Sequence, residues 1–273
     1  MTITSRNPWP RPDPHLIGTP VIGARFPFGL GQHCSYDPFP PQPWPQAVEA
    51  VSVTTQSGTR DYVSLSEASL AWLSSLGAIE FHTWSPRPSD PYHAGFGRIL
   101  LRQCGSSDIA TLRPACRATR TILQEHGIDA ILMFNGIDGA DLWLPFSNAP
   151  AYPDVLGWLH AIAAEAADRH PDMLSKRPER QCGDRIHINV VTNAVGHWSI
   201  MPYSLRGVAS FAVALPVLWD DLNTMQNGDV TAANIADRLA SAGDVFAQEK
   251  ARIGPQSLPD APRLTVSEEP PAP

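Results

Sequence analysis

With 273 residues, 43% of them hydrophobic and 17% charged, the chain is long enough to bury a full core, which excludes a disordered tether or a disulfide-held miniprotein. Its 20 Lys and Arg against 27 Asp and Glu leave a formal charge of −7, which excludes nucleic-acid binding driven by overall charge. Any contact with phosphate must come from a local basic patch.

The first residues, MTITSRNPWPRPDPHLIG, hold no apolar stretch of signal-peptide length, and Pro8, Pro10, Pro12 and Pro14 predict an extended arm over residues 1–20. A single folded body is expected over 21–252, with a loop at Pro38 to Pro45. Strands are predicted at Val48 to Thr54, Asp61 to Ser64, Ile79 to Thr83, Gly97 to Leu101, Ala130 to Phe134, Asp141 to Leu144, Arg185 to Val191 and Trp198 to Met201. A first helix is expected to start from Ser64 and Glu67, in capping-box spacing, and to turn Leu70, Leu73 and Leu76 inward. The second carries Ile109, Leu112, Cys116, Thr119 and Leu123 on one face, with Gly127 where a C-terminal cap belongs. A third shows Val155, Leu159, Ile162 and Ala166, and a last one shows Ile235, Leu239, Ala242 and Phe246. The Pro-rich tail, 253–273, is expected to be disordered. Strands alternating with helices predict an α+β fold. No run reaches the roughly 18 apolar residues of a membrane span, so a cytoplasmic protein with no membrane partner is expected.

Cys34, Cys104, Cys116 and Cys182 form no CxxC pair, which points to incidental, reduced thiols rather than to a zinc site or a disulfide framework. Common signatures of nucleotide binding, metalloproteolysis and esterase chemistry are absent: there is no GxGxxG after a strand, GxxxxGK[ST], HExxH or GxSxG.

Four segments carry a resemblance. RFPFGLGQHCSYDPFPP from Arg25, LGAIEFHTW from Leu76, MPYSLRG from Met201 and LWDDL from Leu218 resemble, in order, the polymerase domain of bacterial DNA ligase D. That domain is the primase-polymerase module of non-homologous end joining. The resemblance spans most of residues 25–247 and implies a primase-polymerase-like fold of mixed and antiparallel sheets flanked by helices. In that family an Asp-x-Asp pair and a third Asp on a later strand gather two divalent ions, which neutralise triphosphate charge and activate the primer hydroxyl. The matching positions here are Arg102, Cys104 and Asn189. A Ser-Gly-Gly-Lys-Gly loop and a following His cradle the family's triphosphate, and their counterparts are Asn135, Gly136, Ile137, Asp138, Gly139 and Asp141. Arg206 matches an arginine near the nucleotide, whereas His82 and Trp84 read as structural. The family's lysines for a 5′-phosphate have no counterpart in the Pro-rich arm.

The primary expectation is a ligase D polymerase-like protein without catalysis, which binds DNA ends or protein and needs neither metal nor cofactor. An end-joining ligase or related repair protein would then be its partner. A second reading keeps an active nucleotidyltransferase by relocating magnesium or manganese to Asp138 and Asp141, with His187 or Asn189 as further ligands. A third is a protein-interaction module with no nucleic-acid role. The cluster Lys176, Arg177, Arg180 and Arg185 separates the first reading from the third, since four cations within ten residues offset the chain's acidity locally.

Overall fold

A computed structural model describes residues 16–260 except 31, 56, 57, 85, 88 and 89. In its first half the chain forms β1 (Pro20–Arg25), β2 (Ser35–Asp37), β3 (Ala50–Thr55), β4 (Gly58–Ser64), α1 (Glu67–Ser75), β5 (Ala78–Thr83), β6 (Pro86–Arg87), β7 (Asp90–Ala94), β8 (Phe96–Gln103) and α2 (Ile109–Glu125). Then come β9 (Ile131–Phe134), β10 (Gly139–Pro145), α3 (Tyr152–Arg169), β11 (Leu174–Ser175), β12 (Ile186–Asn189), β13 (Ser199–Ile200), β14 (Leu215–Val217), α4 (Ile235–Ala242) and α5 (Val245–Ile253). Two six-stranded sheets dominate, and the fold is α+β as expected. The first runs β13-β5-β1-β4-β3 with β2 on β1, and the second runs β11-β12-β8-β10-β9-β14. Every pairing is antiparallel except β11 with β12.

The second sheet is covered on both faces, and its strands alternate accordingly. Ile99, Leu101, Leu132, Leu142, Ile186 and Ile188 join α2 and α3 in one core, which takes in Leu112, Cys116, Leu159 and Ile162. Phe96, Ile131, Met133 and Trp143 point the other way and pack with Val21, Val63, Leu65 and Ile200 of the first sheet region. Phe246 of α5 completes that layer, edge-on to Trp143 at 5.4 Å between ring centroids. Apolar burial on both faces fixes the register of β8, β10 and β12, since a one-residue slip would swap the two sets.

All eight predicted strands appear, as β3, β4, β5, β8, β9, β10, β12 and β13. The region of β1 carries Pro20 and Gly23, and sequence reasoning placed no strand there. Gly23 is required, because a Cβ at that position would overlap the Ala78 side chain on neighbouring β5. Two helix expectations change. The cap of α1 is Ser66, bonded reciprocally with Ser69, while Ser64 ends β4. The last helix is two: Gly243 at φ +69° breaks it, and Asp244 starts α5 by accepting from the Ala247 N–H.

Residues 1–15 and 261–273 lie outside the described residues, and with them most of the expected arm and tail. Leu16 is buried, and Gln256 is tied to Asp129 by a bond in each direction, Asp129 N–H to Oε1 and Nε2 to the Asp129 carbonyl. Among the described residues no helix is long and apolar enough to cross a membrane.

Candidate functional site in the cleft between the sheets

Three neighbouring strands of the second sheet turn polar side chains toward the first. The register sets Arg102 beside Gly139 and Leu100 beside Asp141 on β8 and β10, and it sets His187 beside Arg102 and Asn189 beside Leu100 on β12 and β8. Alternation then places Arg98, Arg102, Asp141, His187 and Asn189 on a single face. The matched positions Arg102, Asn189 and Asp141 thus share this face. Cys104 lies one residue past β8 and is buried, its backbone N–H bonded to the Arg185 carbonyl at 3.1 Å.

Asp141 is fully buried, and an Arg102 Nη1 lies 2.6 Å from its Oδ1. The same nitrogen donates to the carbonyls of Leu101 at 3.2 Å and Ala140 at 3.1 Å. Its hydrogens are therefore aimed at backbone, and the link to Asp141 is a charge contact rather than an aligned hydrogen bond, so the carboxylate oxygens count as unpaired by hydrogen-bond geometry. Arg98, two same-face positions back along β8 from Arg102, is also buried. It donates to the Thr83 carbonyl across the interlayer at 3.0 Å and lies 3.8 Å from the Trp143 ring centroid. Burial pulls the Arg98 pKa down to about 9, with Asp141 the largest influence in the opposite direction, so the group remains a cation at neutral pH. Asp141 is thus the ion-pair partner of Arg102 and also favours the charged form of Arg98.

The turn joining β9 to β10 is closed on itself. The Asn135 Oδ1 accepts the N–H groups of Ile137, Asp138 and Gly139 at 2.8, 3.0 and 3.1 Å. The Gly136 N–H goes to Asn227 Oδ1 at 2.7 Å, and Asn227 Nδ2 returns a bond to the Gly139 carbonyl. A run of backbone N–H groups is the usual cradle for phosphate. Here carboxamide oxygens hold all four. Asp138 stands exposed at the tip, its Oδ1 bonded by Asn135 Nδ2. Gly136, at φ +83°, lies under the Arg206 side chain, and a Cβ on Gly139 would overlap the Leu101 carbonyl oxygen.

Across the cleft, β5 supplies Glu80 and His82. Glu80 Oε2 meets His82 Nε2 at 3.0 Å, and Oε1 accepts the Gly207 N–H at 2.7 Å with Arg206 Nε 3.3 Å away. Burial alone pushes the Glu80 carboxyl up, but the His82 bond, the Arg206 charge and the Gly207 N–H hold it below the usual range. Burial pushes His82 down, aided by Arg206 and Arg98 and opposed by Glu80, so the imidazole is neutral. Trp84 is fully buried against Trp198, its ring centroid 4.7 Å away.

The basic cluster divides. Lys176, Arg177 and Arg180 are exposed, with no side-chain partner among the described residues, on the loop between β11 and β12. Arg185 is spent on the carbonyls of Cys182 and Pro171. Glu179 sits among the three free cations.

The residues present do not fit a pair of divalent ions. A guanidinium, a buried thiol and a carboxamide stand at the three matched positions, and Asn189 Oδ1 is taken by the Val191 N–H. The relocated arrangement does not assemble either, because Asp141 is held by Arg102 and Asp138 sits at an exposed tip on the Asn135 amide. Among the described residues no three His, Cys, Asp or Glu side chains converge to hold a metal. A surface cavity of about 320 Å³, lined by Phe146, Lys250 and Gln256 among others, lies at the far end of β10 from Gly139 and takes no part in this site. Sequence reasoning missed Arg98, Glu80 and Asn227. The Glu-x-His alternation on a predicted strand offered a signal for Glu80, whereas Asn227 before Gly228 reads only as a turn.

Known proteins share this architecture. Residues 9–246 match the family model described as LigD, primase-polymerase domain. The chain is 22% identical over 239 residues to the multifunctional non-homologous end joining protein LigD of Mycolicibacterium smegmatis, covering 86% of this chain and 31% of that protein. It is 23% identical over 244 residues to the bifunctional non-homologous end joining protein LigD of Bacillus subtilis, covering 85% and 38%. The chain thus spans about a third of the length of these curated relatives. The solved polymerase domain of Mycobacterium tuberculosis ligase D, in complex with DNA, matches with a TM-score of 0.76 at 22% identity, covering 88% of this chain and 87% of that one.

Proposed function

The chain belongs to the LigD primase-polymerase domain family, and from that premise we propose that it binds DNA ends without polymerising them. The Arg102–Asp141 pair carries this reading. In the family pattern the Arg102 position holds a metal-binding aspartate and the Asp141 position a histidine. Here the first has become a cation and the second its counter-ion, so the site is neutralised internally and offers a divalent ion no free carboxylate. The closed turn supports the same reading, since a triphosphate would have to displace four formed hydrogen bonds and approach the exposed Asp138. Like charges about 4 Å apart repel by roughly 4 kcal/mol at an effective dielectric of 20.

DNA contact falls to the free cations Lys176, Arg177 and Arg180, and a DNA complex of a structural relative is consistent with this role. The setting proposed is cytoplasmic DNA-end repair, with an end-joining ligase or related repair protein sealing the strands.

Two assays on one preparation test this reading. Primer extension and gap filling on 5′-phosphorylated ends should give no product with magnesium or manganese. Fluorescence anisotropy should show DNA binding that weakens steeply with salt, and Lys176→Glu/Arg177→Glu/Arg180→Glu should abolish it. Manganese-dependent extension lost in Asp141→Ala would overturn the non-catalytic reading. No binding at low salt by a folded protein would favour the protein-interaction module.

A further inference from the structure

The four cysteines look scattered in the sequence, yet two of them meet in the fold. Cys104 leaves the end of β8, and its N–H bond to the Arg185 carbonyl adds one rung to the β8–β12 ladder. Cys182 follows the 3-10 turn Glu179–Gln181, and its Sγ donates to that same Arg185 carbonyl at 3.5 Å. Arg185 Nε bonds the Cys182 carbonyl in return, at 2.8 Å, which folds the loop back over the rung. The two residues thus converge on one acceptor, the Arg185 carbonyl, Cys104 through its N–H and Cys182 through its thiol. Both are buried, beneath a loop whose neighbouring residues Gln181, Gly183 and Asp184 are exposed.

We propose that Cys104 and Cys182 form a disulfide on exposure to a disulfide oxidant, a modification site that ties the basic β11–β12 loop to the end of β8. Disulfide geometry needs Cβ atoms about 4 Å apart, and two cysteines bonded to the same carbonyl at one rung can approach it by side-chain rotation and a small loop movement. The exchange balances with oxidised glutathione as oxidant. One cysteine thiolate attacks a glutathione sulfur and expels one glutathione thiolate. The second cysteine thiolate then attacks the protein-bound sulfur, forms the Cys104–Cys182 bond and expels the other glutathione. Two protein thiols lose two protons and two electrons, and one glutathione disulfide becomes two thiols. At rest Cys104 is protonated, because burial and the adjoining Cys182 thiol push it up to about 12. Oxidation therefore proceeds through opening of the loop and is slow beside that of an exposed thiol.

Cys34 and Cys116 are the internal controls, the first partly exposed and the second buried within α2. The folded wild-type chain is incubated with oxidised glutathione, quenched with acid, alkylated after denaturation, digested and mapped by mass spectrometry. The expected result is a peptide linking Cys104 to Cys182, with Cys116 alkylated and the link reversed by dithiothreitol. Recovery of Cys104 and Cys182 as unlinked, alkylated thiols while Cys34 carries glutathione would overturn the proposal. So would linkage of either to Cys34. In Cys104→Ser, Cys182 should retain glutathione as a mixed disulfide. The wild-type map decides the question even where that variant fails to fold.

Discussion

Strands β8, β10 and β12 present two faces of the same sheet, and the two are built on different principles. The helix-side face, with Ile99, Leu101, Leu142, Ile186 and Ile188, is held by apolar burial that any close-packed set of similar volume would reproduce. The interlayer face holds buried Arg98 and Asp141 with half-buried Arg102 beside them, charges that are tolerable there only as a set. A charge on such a face can change sign only if a neighbour changes with it. Under the non-catalytic reading proposed above, the Arg102–Asp141 pair is that kind of joint change, one that would let the fold persist without its metal chemistry.

The largest test of this contrast is Asp141→Ala. It leaves Arg102 without its counter-ion and removes a charge that favours the buried Arg98 cation, and should destabilise the fold by about 3–5 kcal/mol in urea denaturation, as removal of one partner from a buried ion pair does. Leu142→Ala, next in sequence but facing the helices, should cost about 2–5 kcal/mol through its cavity. Arg102→Ala should cost less than Asp141→Ala, because Arg98 still compensates the carboxylate. Equal losses for the two would show that Asp141 supports Arg102 alone and not Arg98 as well. Asn135→Ala leaves three turn amides without their acceptor and should cost about 1–3 kcal/mol, read from the urea midpoint.

A smaller effect is expected from pH. The folded pKa of His82 is depressed, so its contribution to stability is present above the unfolded value of about 6.5 and is lost as pH falls below it, where only the unfolded chain takes up the proton. Stability curves measured from pH 7 downward should slope accordingly, and His82→Gln should remove that part of the slope. The smallest stability effect belongs to the loop: Lys176→Ala or Arg177→Ala should stay within about 0.5 kcal/mol of wild type. Each should lower the salt slope of DNA binding by roughly 0.9, one phosphate contact apiece.

The two faces also differed in how far they could be read from sequence. Helical periodicity at Val155, Leu159, Ile162 and Ala166 and the apolar strands identified the packed face, because burial leaves a regular pattern. The positions Arg102, Asn189 and Asp141 were found only through the family pattern, and nothing local announced that Arg102 and Asp141 pair across β8 and β10. Such a pairing is a matter of register, as is the meeting of Cys104 with Cys182. Asn135 was read as part of a degraded phosphate loop, but its role as acceptor for three amides depends on turn geometry that sequence does not specify. Gly243 and Asp244 carried a helix stop and a helix start that the longer apolar stripe concealed.

The central proposal is that this face of the sheet gathers no divalent ions, and manganese binding to the folded chain tests it most directly. Electron paramagnetic resonance of added manganese should show only the free aqueous ion, for wild type and for Asp141→Ala alike. A bound manganese signal in wild type that disappears in Asp141→Ala would contradict the account.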